Sequence, residues 1–373
     1  MLHRRFTILS MILTASLAVS AQTPTTLKDA YRGAFHIGVA INSDQITGKD
    51  ARGTAIVAEQ FDSISPENAM KWENIHPKTG KYDFTLADQY VDFGEKHHMF
   101  IVGHNLVWHS QVPAWVFQDD SGKPVNRIEL LRRMHDHIFT VVGRYKGRIQ
   151  SWDVVNEALN EDGTLRDSKW KQIIGPEYLI WAYRWAHEAD PMMELNYNDY
   201  NLENPAKRKG AIDLIKILQQ NGIKIAVVGV QGHDHMNWPS ADLEEQTILD
   251  LANLGVKVAI TELDLDVLPT VPQATTADVS YHVESDPKLN PYSKGLPDSV
   301  QKALATRYAD LFKVYLKHRE VMSRVTLWGV TDADSWLNDW PVKGRSSYPL
   351  LWDRNFKPKP AFDAVIQAAN QGK

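Results

Sequence analysis

VKVAITEL (Val256–Leu263) is a short, nearly unbroken apolar run that carries one carboxylate, Glu262, close to its end. A strand with one wet face alternates apolar and polar residues. A run like this one fits a strand buried on both faces, as in a parallel sheet covered by helices. Seven further runs of similar length share the pattern: Phe35–Asn42, Phe61–Pro66, Phe100–Trp108, Ile149–Glu157, Glu194–Tyr200, Ile225–Gly232 and Arg324–Val330. Amphipathic helical patterns lie between many of them. Ile128, Leu131, His135, Ile138, Phe139 and Val142 are expected on one helical face, and Leu304, Tyr308, Leu311, Phe312, Tyr315 and Leu316 on another. Ala206–Gln220 reads as a third helix, stopped by Asn221-Gly222. Eight strands with helical crossovers predict an α/β fold, a single-domain (β/α)8 TIM barrel.

The 373 residues suit one such barrel. Composition is that of a globular chain, 43% hydrophobic and 23% charged. The net charge of −5, without a basic run after residue 5, argues against nucleic acid or an anionic membrane as partner. There is no cysteine, which excludes disulfides, thiolate nucleophiles and thiolate metal sites. His3, Arg4 and Arg5 precede an apolar stretch from Phe6 to about Val19, and Ser20-Ala21-Gln22 follows. This is the layout of a signal peptide cleaved after Ala21. Residues 1–21 are therefore expected to be removed, leaving 22–373 as a secreted or periplasmic barrel with no membrane anchor. The apolar stretch is shorter than a span needs and holds Thr7, Ser10, Thr14 and Ser16. Pro269–Asp298 carries five prolines and no clear period, and is expected to overhang the active face as a βα loop.

Catalytic groups of such barrels sit at the C-terminal ends of the strands, and here one strand after another ends in polar or aromatic residues. They run from Glu67, Asn68 and Lys71, through His104, Asn105 and Trp108, to Asn156 and Glu157, then Asn198, Asp199 and Tyr200. Gln231, His233 and His235 follow, then Glu262, Asp264 and Asp266, and finally Trp328 and Trp336. Burying these groups unpaired would cost about 2 kcal/mol or more each, so they pair with one another or face a polar ligand. Glu157 and Glu262 stand on strands that converge across the barrel mouth. Two carboxyl groups facing one bond are what glycosidic cleavage requires, one to protonate the leaving oxygen and one on the other side of the sugar. The bland alternative has each glutamate capping a helix or pairing with Lys71.

WDVVNEAL (Trp152–Leu159) and ITELDLD (Ile260–Asp266) resemble the acid/base and nucleophile segments of glycoside hydrolase family 10 xylanases. SPENAMKWENIHP (Ser65–Pro77), HNLVWHSQVPAW (His104–Trp115), VQGHDH (Val230–His235) and TLWGVTDADSWL (Thr326–Leu337) resemble that family in the same order. The resemblance implies a retaining endo-β-1,4-xylanase with Glu157 as acid/base and Glu262 as nucleophile. It implies that Asn156 bonds the sugar 2-hydroxyl, and that His104, Gln231 and His233 line the subsite beside the cleaved bond. His233 would also hold Glu262 ionised. Glu67, Asn68 and Lys71 would bind xylose further along the glycone side, and Trp108, Trp328 and Trp336 would wall the cleft. Asp264 would support the site, while Asp332, Asp334 and Asp339 would organise the Trp336 loop. The implied partner is xylan or xylo-oligosaccharides, bound by a monomer, and activity should follow a bell-shaped pH profile.

The sequence admits other function classes. His233 and His235, with His104 and His109, invite a metal reading. A metal would need three or more converging ligands and would occupy the place the glutamates need, so no metal and no cofactor is expected. A β-1,4-glucanase on the same scaffold is the nearest alternative, and a non-catalytic sugar-binding barrel the next. Trp328 and Trp336 are expected to crowd the extra CH2OH of glucose.

Overall fold

The computed structural model describes residues 26–271 and 281–372. The expected signal peptide, and the middle of the Pro269–Asp298 segment, lie outside the described residues. The strands are β1 (His36–Ile41), β2 (Ser63–Pro66), β3 (Phe100–Val107), β4 (Ser151–Asn156), β5 (Glu194–Asp199), β6 (Val227–Val230), β7 (His233–His235), β8 (Lys257–Asp266) and β9 (Met322–Leu327). All pair in parallel. β1 to β6 follow one another around the sheet, β6 pairs with β8, β8 with β9, and β9 returns to β1. That closes an eight-stranded barrel, with β7 as a short extension on the upper part of β8. A principal helix follows each barrel strand: Ala51–Gln60, Thr85–Lys96, Arg127–Arg144, Tyr178–Ala189, Pro205–Gln220, Ala241–Ala252, Asp298–Lys317 and Pro360–Gln371.

The strand edges depart from the sequence reading where a polar group changes the arithmetic. The sixth run does not extend to Gly232. It stops at Val230, and Gly232, at φ +77°, turns the chain before it resumes as β7. β8 runs on to Asp266, beyond Leu263, because His233–His235 pairs with Asp264–Asp266 above the barrel rim. β9 begins earlier than Arg324 and ends at Leu327, and Arg324 itself lies buried within the barrel.

The helix Arg127–Arg144 corrects the expected face. Ile128 is 79% exposed, and the inward stripe is Leu130, Met134, His137, Ile138, Val141 and Val142. The stripe passes through His137, where the expected face took His135. His137 lies against Trp72 with ring centroids 3.6 Å apart, and His76 stacks on Tyr82 at 3.8 Å. The ring nitrogens of both histidines are buried without a hydrogen-bond partner. Burial lowers the pKa of His76 to about 4 and that of His137 well below 6.5.

These histidines predict acid sensitivity. A depressed folded-state value means that the unfolded chain binds the proton more tightly. Stability is therefore complete above about pH 6.5 and falls as the pH drops. Below about pH 6.5 each histidine should cost up to ~1.4 kcal/mol per pH unit. His137→Phe keeps a flat ring on Trp72 and removes one of the two protons. The gap between its urea midpoints at pH 7.5 and pH 5 should shrink markedly from that of the wild type. An unchanged gap would place the acid sensitivity elsewhere.

Candidate active site

Glu157 follows β4 directly and takes a left-handed conformation, φ +56°, which costs a non-glycine residue on the order of 1 kcal/mol. Its backbone is tied on both sides: its N–H donates to Asn198 O at 2.9 Å, and its carbonyl accepts from Arg166 Nε at 3.0 Å. The side chain is thereby aimed into the barrel mouth. Trp108 Nε1 donates to Glu157 Oε2 at 2.9 Å. Gln231 Nε2 donates to Oε1 at 3.0 Å and Asn156 Nδ2 to the same oxygen at 3.3 Å. His109 Nδ1 lies 3.9 Å from Oε2.

Glu262 reaches the mouth from β8. Asn198 Nδ2 donates to its Oε1 at 2.9 Å, and His233 Nε2 lies 3.3 Å from its Oε2. The same Asn198 amide donates to Asn156 Oδ1 at 2.9 Å, and Thr261 Oγ1 donates to Asn198 Oδ1 at 2.6 Å. One amide thus links the two halves of the site. Gly229, on neighbouring β6, makes room for it: a Cβ there would stand 2.3 Å from Asn198 Oδ1.

The electrostatics favour a charged Glu262. Burial pushes its carboxyl up, but the His233 hydrogen bond and the charges of His104 and His233 outweigh that. The result lies below the ordinary glutamate value. Burial also opposes a charge on His233. Asp264, whose Oδ2 lies 3.1 Å from His233 Nδ1, and Glu262 prevail over it and raise the His233 pKa to about 10. At neutral pH His233 is therefore an imidazolium paired with both Glu262 and Asp264. Asp264 is fixed in turn by Trp336 Nε1 at 2.8 Å.

Both glutamates and the ten expected binding residues line one cleft of about 980 Å³, whereas Asn105, Asn198 and Asp199 of the strand ends lie outside its lining. Lys71 Nζ donates to Asn68 Oδ1 at 2.9 Å and to Gln111 Oε1 at 2.7 Å, and sits 5.0 Å above the Trp108 ring. Asn68 Nδ2 donates to Glu67 Oε1 at 3.1 Å. His104 Nδ1 is 3.0 Å from Asp153 Oδ2, and its ring meets Trp328 edge-on at 5.6 Å. Trp336 stacks on Trp340 at 4.8 Å. Asp266 pairs with Arg345 at 2.9 Å, and Asp332 with Lys359 at 3.0 Å. The described ends of the long segment after β8 also reach the cleft, through Pro269, Thr270, Val271 and Tyr292.

Sequence reasoning noted Asn198 only as a polar strand end, without a role, and passed over Gln111 and Trp238. The bonds from Asn198 to Asn156 and Glu262 run between strands and leave no local signal. Gln111 and Trp238 sit in loops whose reach into the cleft depends on tertiary placement.

The family model for glycosyl hydrolase family 10 matches residues 26–368. Among curated relatives, "Endo-1,4-beta-xylanase A" of Xylanibacter ruminicola is 44% identical over 351 residues, covering 94% of this chain and 95% of its own. "Beta-1,4-xylanase" of Dictyoglomus thermophilum is 39% identical and covers 98% and 100%. A solved endoxylanase of the same family, retrieved from a sugarcane soil metagenome, superposes with a TM-score of 0.88 at 49% identity. It covers 91% of this chain and 99% of its own.

Proposed function

The chain belongs to glycosyl hydrolase family 10 and cuts β-1,4-xylan internally with retention, and on that premise we propose that Glu262 is the nucleophile and Glu157 the acid/base. The observation that carries the assignment is the contrast between the two carboxyls. Glu262 is ringed by an imidazolium and an amide that hold it charged, as a nucleophile requires. Glu157 is held in the barrel mouth by Gln231, Asn156 and Trp108, all neutral donors.

The steps follow from those positions. Glu157 protonates the glycosidic oxygen while Glu262 attacks the anomeric carbon, and the leaving chain departs. The resulting glycosyl ester cancels the charge on Glu262. Glu157, now ionised, takes a proton from water, which attacks the ester and releases a product of retained configuration. Asn156, itself held by Asn198, presents its amide to the sugar 2-hydroxyl. Glu67, Asn68 and Lys71 bind the glycone side, with His104, Gln231 and His233 beside the cleaved bond and Trp108, Trp328 and Trp336 as walls.

The preference for xylose over glucose rests on those walls. Trp336 is pinned through its indole N–H and by Trp340, and Trp328 is packed on two histidine rings. Such rings cannot give way cheaply to a CH2OH group. Reducing-end release from xylan should far exceed release from carboxymethyl cellulose. The reverse preference would keep the chemistry and make the protein a glucanase.

The same reading includes export of a monomer. No helix among the described residues is long and apolar enough to cross a membrane. Cleavage of residues 1–21 would be seen as a mature N-terminus at Gln22, and an intact Met1 in the exported protein would refute it.

A further inference from the structure

The two catalytic glutamates stand on β4 and β8 and divide the cleft. Glu67, Asn68 and Lys71 line one half. The other half is lined by Tyr200 and Asn201 after β5, by the turn after β7, and by Leu268 and Tyr292 from the segment after β8. The turn after β7 carries Trp238. Of the large apolar side chains that stand exposed among the described residues, Trp238, at 43%, is the one that lines the cleft. Ile128, Met192, Ile217 and Leu249 do not.

The turn is held from both ends. His235 N–H donates to Trp238 O at 2.8 Å, and Trp238 N–H donates to His235 O at 3.4 Å. Pro239 O accepts from Arg307 Nη2, on the helix Asp298–Lys317, and the same Nη2 lies 3.9 Å from Asp234 Oδ2. Trp238 keeps apolar area open within a concave cleft, and a ligand that covers it would remove that area from water. Fixed backbone on either side reduces the ordering cost when a ligand covers it. The ligand that reaches this half is the portion of the chain beyond the scissile bond, whose rings offer C–H faces to an indole.

We propose that Trp238 is a stacking platform for a sugar ring of the leaving chain, and that it sets the enzyme's dependence on substrate length. The inference rests on the glycone assignment of Glu67, Asn68 and Lys71 and on xylan as substrate. It adds a specificity-determining residue on the opposite side. Binding energy there acts on long substrates and is absent from short ones.

The test compares wild type, Trp238→Ala and Trp238→Phe on xylohexaose and on p-nitrophenyl β-xylobioside. The aryl substrate places no sugar in the second half of the cleft. Trp238→Ala should lose roughly ten-fold in kcat/KM on xylohexaose, equivalent to ~1.4 kcal/mol. The loss should fall mainly in KM, with the aryl substrate unaffected and Phe restoring part of the rate. Equal losses on both substrates would make Trp238 a structural part of the turn and overturn the platform. No loss on either would overturn it too. A wild type that fails on xylohexaose would instead strike the function itself, and the unmutated control reveals that separately.

Discussion

The Glu262→Ala protein should lose xylan hydrolysis by several orders of magnitude, ~10^4-fold or more in kcat, while remaining folded. Removing the carboxylate removes the atom that forms the covalent intermediate, and the remaining groups have no second route to the anomeric carbon. Asn198 and His233 would be left facing the vacated space, with the positive charge of His233 unopposed by Glu262 and still paired with Asp264. That space suits a small anion. Added azide should therefore rescue turnover of an aryl xylobioside by attacking from the face Glu262 occupied, giving a product of inverted, α configuration. Chiral analysis of the azide product reads this directly. Activity that survives Glu262→Ala without an anion would sink the double-displacement assignment. It would also reopen a metal-based reading around His233 and His235.

The barrel was legible because buried parallel strands leave a simple trace. Each must be apolar on both faces for about six residues, and then, at the rim, must change to whatever the ligand demands. The near-continuous runs at Val256–Leu263 and Ile149–Glu157 carry both halves of that trace. The trace failed where polar residues were buried by stacking. His137 is as inward as any leucine on its helix, yet the expected face ran through His135 instead and took in Ile128, which is exposed. The short strand His233–His235 was similarly hidden, since three polar residues after a glycine do not look like sheet. Only pairing with Asp264–Asp266, far off in sequence, makes them one.

The site was legible for a related reason and incomplete for another. Groups at strand ends are where a sequence reading can look, and most of those chosen, both glutamates included, converge on one cleft. The links between them are not visible that way. That Asn198 joins Asn156 to Glu262, or that Trp336 pins Asp264 and so fixes His233, follows from side-chain directions across neighbouring strands. Gly229 shows the same limit: its missing side chain matters only because Asn198 leans over it. Pairwise distances of this kind depend on barrel closure, and closure has no local signature.

Replacing the other carboxylate should produce a loss of a different shape. The Glu157→Ala protein should lose roughly 10^2- to 10^4-fold on xylan, the range a positioned acid contributes. On an aryl xylobioside with a nitrophenol leaving group the first step needs little protonation, so glycosylation of Glu262 should remain fast. Deglycosylation lacks its base and becomes slow. The glycosyl-enzyme should then accumulate, seen as a burst of nitrophenol and as a lowered KM, because KM no longer reports substrate dissociation. Intact-mass measurement should find the added xylobiosyl group on Glu262. Azide should rescue this variant too, but by attack on the intermediate, giving the β product where Glu262→Ala gives the α. The basic limb of the pH profile, which follows loss of the acid's proton, should flatten at the same time. Equal losses on both substrates, with no burst, would show that Glu157 positions the substrate without transferring a proton. The opposite anomers from the two rescues test the assignment most sharply, since a general loss of structure cannot produce them.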